Sequence, residues 1–401
     1  LNKVQNALGK TGTLIFLVVM SAFPPLTTDL YLPALPQMVS IFNTSESMVN
    51  LTLSMYFIVY ATGLLFWGPL SDKFGRKPIM MIGILIYIIS SLLCALATNI
   101  EFLIVSRLIE AFGGSAATVV ATAIVKDLYD GREREKIMAT IMSLVIIAPM
   151  VAPVLGAFLL KISSWSMIFV FLAIFGIISA ILAFYYEETL ENRYKGSVFK
   201  SWGRLIVVVK NPNFVSLLCI FSITPMTIMA FLASGSYVYI DGFGLTEQEF
   251  GYAFAFNALC ASFGPTIYMK LSRLVSIKSI ITCCFSVILL CGICTYTVGN
   301  LSAWIFAFIA ALSTIAMITM RVPGVNLMLD QQNEDTGSAV AIIQFCAMIC
   351  GSIGMILVSL RPDSLIQDLG IIQFAVGAIG GILWFMAKKR SYVVDKLIKY
   401  D

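Results

Sequence analysis

Four charged side chains set within long apolar stretches are best placed to do chemistry: Asp29, Arg107, Glu110 and Arg321. An Asp or Arg at the centre of a membrane-spanning helix costs about 2.5–3.5 kcal/mol. Such a residue is a functional candidate by default, and a structural ion pair is the competing explanation. Asp29 lies in PPLTTDLYLPALP, where Pro24, Pro25, Pro33 and Pro36 remove backbone donors and bend the helix. Membranes tolerate such breaks where the backbone faces protein or a water-filled cavity. A lone carboxylate there is desolvated, which favours its protonated form. Asp29 could then exchange a proton against a cationic or polar ligand. Arg107 and Glu110 share one helix face at i and i+3 in SRLIEAFGGSAA. Either they neutralise each other, or Arg107 is a switchable partner for both Glu110 and Asp29. Arg321 opens RVPGVN. It snorkels toward water or anionic headgroups, or it faces a cavity or an acid at a gate.

Other chemistry is poorly served. The chain has no histidine, so the usual proton shuttle and the commonest metal ligand are missing. Proton chemistry near neutral pH falls to carboxylates. Nine cysteines all lie in apolar segments. Cys291-x-x-Cys294 has zinc-like spacing but no partner pair, and reads as packing. With no nucleophile–base set, metal site or nucleotide-binding loop, neither an enzyme nor a cofactor is expected. Basic residues sit in short turns rather than on one face, so no nucleic-acid partner is expected.

The elements that position these residues are membrane helices. Of 401 residues, 59% are hydrophobic and only 12% charged, against roughly 25% charged in soluble domains. At ~20 residues per span, the chain suits about a dozen helices. The apolar stretches predict spans near 12–36, 48–70, 78–97, 102–126, 137–160, 165–186, 213–240, 248–271, 277–298, 301–329, 337–360 and 369–387. The charged segment 187–212, with an amphipathic stretch from Val198 to Val209, divides two six-helix halves, 1–186 and 213–401. That stretch is either a surface-lying helix or a solvated linker. The first apolar stretch is too long for a cleavable signal. Of 26 Lys and Arg, all but Lys161, Arg361, Arg107 and Arg321 fall on the side of both termini. The positive-inside rule makes that side cytoplasmic.

The loop Gly68–Pro78, GPLSDKFGRKP, resembles motif A of the major facilitator superfamily, G-x-L-[ST]-D-[RK]-x-G-R-[RK]-P. A weaker copy stands at 264–273, GPTIYMKLSR, without the Asp. Arg107 and Glu110 fall in a stretch similar to motif B, R-x-x-Q-G-x-G, with Glu110 in place of the usual Gln. APMVAPVLGAFL, with Ala148, Pro149, Ala152, Pro153, Gly156 and Ala157, resembles antiporter motif C without its first Gly. TDLYLPALP resembles the bicyclomycin/chloramphenicol-resistance branch of the drug:proton antiporters.

The resemblance implies an all-α fold of twelve transmembrane helices in two pseudo-symmetric halves, alternating access, and export of small hydrophobic or amphiphilic compounds, such as antibiotics, against protons. Asp29 would bind protons and substrate, with Arg107 and Glu110 coupled to it. Asp72, Arg76 and Asp127 would form a cytoplasmic gate, with Arg76 pairing with Asp127 and Asp72 facing the start of span 11 near Gly337 and Ser338. Tyr31, Tyr56, Tyr60, Phe231, Tyr237, Phe254, Asn257 and Gln344 supply the aromatic and polar mixture of a substrate pocket. The expected partners are a small-molecule substrate, protons and lipids, around a monomer in a bacterial inner membrane. An uptake symporter or uniporter, or a non-transporting receptor, is the alternative.

Overall fold

A computed structural model describes residues 8–129, 133, 137–138, 140–141, 144–145, 147–190, 198–331, 336–390 and 393. The described residues are helical, with no strand among them. The chain divides into two compact units, Leu1–Trp202 and Gly203–Asp401.

In the first unit, α1 (Gly9–Ser21), α2 (Phe23–Asp29) and α3 (Leu35–Ile41) form one broken apolar segment, bent by 44° after Ser21. The prolines set the breaks. Pro24 and Pro25 open α2, and Pro36 opens α3, positions where a missing N–H removes no helical bond. Next come α4 (Glu46–Phe74), α5 (Arg76–Ala95), α6 (Ile100–Leu128), α7 (Ile147–Ile162) and α8 (Ser166–Tyr185). Ser45 and Asn99 cap α4 and α6 by accepting from the N–H groups of Met48 and Phe102. Glycine lets α5 and α6 touch along their backbones. A Cβ on Gly113 would lie 2.7 Å from the Gly83 carbonyl oxygen and 2.7 Å from the Tyr87 nitrogen. The segment Val198–Val209 is a helix, α9, with Ile206, Val207 and Val209 exposed. The Trp202 indole N–H donates to the Leu65 carbonyl at 3.2 Å.

The second unit holds α10 (Pro212–Ser222), α11 (Pro225–Tyr237), α12 (Glu247–Ser262), α13 (Gly264–Leu271), α14 (Ile277–Val298), α15 (Ala303–Leu329), α16 (Thr336–Val358) and α17 (Leu365–Ala387). Here α14 and α17 pack as closely as α5 and α6. A Cβ on Gly292 would lie 2.3 Å from the Phe374 nitrogen.

Among the described residues nine segments are long and apolar enough to cross a membrane, and the bent Gly9–Ile41 pair is a tenth. The other two spans depart from the expected ranges. The described helix of span 5 is Ile147–Ile162, and parts of the expected 137–146 lie outside the described residues. Span 8 was expected unbroken over 248–271. It breaks at Phe263, because Pro265 lacks a donor for the turn before it. Gly264 follows the break, and a Cβ there would meet Ile318 of α15 at 2.6 Å. With these two, twelve spanning segments lie among the described residues, six in each unit.

Candidate functional site

The first unit seals an ion pair among its helices. Arg107 Nη1 of α6 donates to Glu110 Oε2 at 2.6 Å, and both side chains are fully buried. Because i and i+3 lie on one face, α6 alone brings them together. The other Glu110 oxygen accepts from Ser91 Oγ of α5 at 2.7 Å. Arg107 Nη1 also reaches the Thr27 carbonyl of α2 at 3.3 Å. Three rings surround the guanidinium, with centroids 4.4 Å (Tyr56), 5.1 Å (Tyr31) and 5.7 Å (Phe169) from its carbon. Arg107 Nε and Nη2 have no hydrogen-bond acceptor. The negative faces of those rings therefore carry part of the compensation.

Asp29 stands apart from this pair. It closes α2 and is buried, yet no ion pair among the described residues includes it. Its neighbour Thr28 has its hydroxyl 2.9 Å from Asp29 Oδ1 and 2.9 Å from the Pro24 carbonyl. One hydroxyl carries one proton. Thr28 divides that proton between Asp29 and the Pro24 carbonyl, as Ser91 divides its own between Glu110 and the Tyr87 carbonyl. Preceding it, Thr27 gives its carbonyl to Arg107 and places its hydroxyl 2.7 Å from the Tyr87 hydroxyl. The expected alternation of Arg107 between Glu110 and Asp29 is thus represented by the Glu110 pair alone. The tripeptide Thr27–Asp29 connects the two sites through consecutive residues. Helix α7 presses on the same break: a Cβ on Gly156 would lie 2.1 Å from the Leu30 carbonyl oxygen.

A second charge cluster is built on the 68–78 turn. Arg76 donates to Asp72 at 2.5 Å, to Ser71 at 2.7 Å and, through Nε, to Asp127 at 2.8 Å. The turn closes through Gly75 at φ +110°, a conformation that side chains other than glycine rarely adopt. Sequence reasoning missed Glu188. Its two carboxylate oxygens accept from the backbone N–H groups of Arg76 and Lys77, each at 3.1 Å. It thereby caps the start of α5, where an acidic group is favoured. The available signal was an acidic pair, Glu187 and Glu188, on the side where basic residues gather. Ser91, Thr27 and Tyr87 were also missed, since hydroxyls in apolar spans look the same whether they bond their own helix or a neighbour.

The pocket candidates are distributed through both units. Tyr31 and Tyr56 flank Arg107, and Tyr60 stacks on Tyr56 at 5.9 Å. Phe231 stacks on Phe254 at 6.1 Å in the second unit. Tyr237 and Asn257 are buried there, and Asn257 Nδ2 lacks an acceptor. Gln344 accepts from Arg321 Nη2 at 3.1 Å.

Twelve apolar spans, with an ion pair sealed from solvent and a buried carboxylate that meets no cation among the described residues, make this a multi-pass membrane protein. The chain belongs to the Major Facilitator Superfamily, whose sequence model matches residues 15–355. It is 30% identical to an uncharacterized MFS-type transporter, YdgK, of Bacillus subtilis (strain 168), over 96% of this chain and 98% of that one. A bicyclomycin resistance protein homolog of Haemophilus influenzae is 27% identical over 93% of this chain and 89% of its own. The solved structure of a D-xylose-proton symporter superposes with a TM-score of 0.71 at 15% identity. It covers 94% of this chain and 97% of its own, a likeness of fold alone.

Proposed function

We propose that this protein is a proton-coupled antiporter that exports small hydrophobic or amphiphilic compounds, antibiotics among them, by alternating access. It would sit in a bacterial cytoplasmic membrane with both termini cytoplasmic. The observation that carries the reading is Asp29, a buried carboxylate with a hydroxyl neighbour and no cation among the described residues. Asp29 takes up a proton from outside, and substrate arriving from the cytoplasm displaces it. Two further points support export: the kinship with a bicyclomycin resistance protein homolog, and the packing of α7, the helix of the motif C resemblance, on Leu30 beside Asp29. The Asp72–Arg76–Asp127 cluster serves as a gate that opens and closes with the cycle.

Carboxylate chemistry is energetically adequate. One charge descending 100 mV supplies ~2.3 kcal/mol. At ~1.4 kcal/mol per tenfold, that supports a gradient of roughly fifty-fold before any pH difference contributes.

Proteoliposomes with an imposed proton gradient test the reading. Wild-type protein should accumulate chloramphenicol or bicyclomycin on the acidic side and release protons when substrate is added to the other. Asp29→Asn should abolish both while remaining folded. Full proton-coupled flux in Asp29→Asn, or accumulation in the opposite direction, would refute it.

A further inference from the structure

The second unit contains a cation that no acid among the described residues neutralises. Arg321 lies on α15, an apolar span, and its guanidinium is accessible rather than sealed. No carboxylate among the described residues pairs with it. Its one hydrogen bond to a side chain goes to the neutral amide oxygen of Gln344 on α16. Arg107, the intramembrane cation of the first unit, has Glu110 against it and three rings around it. Arg321 has an open recess instead. The recess is lined by Phe221, Ser222, Met328 and Ile343 together with Arg321 and Gln344. It holds about 60 Å³ of free space, several times the minimum for one water. At its wall Ser222, on α10, is 94% buried with a hydroxyl that bonds nothing.

These features fit one chemistry. A guanidinium offers five N–H donors in a planar fork that matches a carboxylate, and four of them make no hydrogen bond to a described residue. The idle Ser222 hydroxyl adds another donor. The remaining wall is apolar, and the free space suits a head group rather than a whole amphiphile. Snorkelling would take the guanidinium to a headgroup layer; in the structure the Gln344 bond holds it at the recess.

We propose that the Arg321–Gln344–Ser222 recess binds the carboxylate of a small amphiphilic organic acid, with the apolar part of the molecule outside the recess. Its role as a substrate subsite rests on the export reading; the binding itself does not. On that reading the substrate range includes organic anions and zwitterions among the amphiphilic compounds exported.

Equilibrium binding of 1-naphthoate to the full chain in phosphatidylcholine nanodiscs tests this without transport. Wild-type protein should bind naphthoate, and Arg321→Gln should weaken it by about tenfold or more, the loss of a charge-assisted bidentate contact. Arg321→Lys should retain part of the affinity, and Ser222→Ala should weaken it by about threefold. Binding of the neutral 1-naphthamide should be the same in all four proteins. Tryptophan emission and thermal unfolding establish that each variant is folded. Equal naphthoate affinity in wild type and Arg321→Gln, or no naphthoate binding by wild type, overturns the proposal. Loss of naphthoate binding when phosphatidylglycerol replaces phosphatidylcholine also overturns it, by making the recess a lipid headgroup site. Naphthoate binding that persists while proton-driven chloramphenicol flux fails would sink the export reading and leave this site standing.

Discussion

The Arg107–Glu110 pair permits a prediction whose size follows from the contacts. In Glu110→Gln the side chain keeps its shape. Its amide oxygen can accept from Arg107, and its amide nitrogen can donate to Ser91. Ser91 can then donate to the Tyr87 carbonyl, 2.8 Å away. Every hydrogen bond therefore survives, and only the negative charge is lost. Arg107 stays protonated in any protein environment, so its charge remains buried. Removing one partner of a buried pair costs about 3–5 kcal/mol. The rings of Tyr31, Tyr56 and Phe169 already face that charge, and such contacts are worth about 0.5–2 kcal/mol. A net cost of about 1–4.5 kcal/mol follows, or roughly 5- to 2,000-fold in the unfolding equilibrium. Adding Arg107→Met removes the orphaned charge and should bring stability back to within about 1 kcal/mol of wild type. Reversible denaturation in mild detergent, followed by tryptophan emission, measures all four corners of this cycle. Equal stability of Glu110→Gln and wild type, with no coupling between the two sites, would refute the argument that this pair is held by charge.

Glu188→Ala should cost about 1–2 kcal/mol in the same assay, because the Arg76 and Lys77 N–H groups lose their acceptor. Gly75→Ala should be at least as damaging. It strains a backbone at φ +110° and places a Cβ 2.6 Å from Glu188 Oε2. Gly113→Ala should destabilise by about 1–3 kcal/mol or more, since both atoms nearest the new Cβ are backbone atoms of α5 that cannot swing aside; thermal aggregation in detergent reads this. Thr28→Val should leave folding intact and move the pH dependence of transport, whereas Thr28→Ser should restore it. An unchanged pH profile in Thr28→Val would detach Thr28 from Asp29 function.

The spans and the 68–78 turn were legible because composition and local spacing encode them. Twenty apolar residues have few ways to exist outside a membrane, and Gly75 beside Arg76 is a local backbone requirement. The Arg107–Glu110 pair was legible too, because helical geometry places i and i+3 on one face. What was not legible is long-range. Glu188 reaches a helix start 112 residues earlier in the chain, and nothing in EETLEN announces the direction. Ser91 meets Glu110 only because Gly83 and Gly113 bring two helices into backbone contact. The break at Phe263 was visible as Pro265, but the apolar run on both sides masked it.

The placement of Glu110 bears on how the proposed cycle works. In the motif that span 4 resembles, this position carries a neutral Gln, which would leave Arg107 free to seek Asp29. Here Glu110 holds Arg107 at 2.6 Å with no solvent access to either side chain. A pair of zero net charge can remain buried throughout a cycle without either member changing its protonation. Asp29 has no such partner among the described residues, and its neighbour Thr28 shares its hydroxyl with the Pro24 carbonyl. On the antiport reading, the variable charge in the first unit is therefore Asp29. Arg107 acts on it indirectly, by fixing the carbonyl of Thr27 two residues away. On that reading the chain separates two tasks that a single switching arginine would combine: a buried pair that holds the broken helix in place, and a lone carboxylate at its break that would take up and give back the proton.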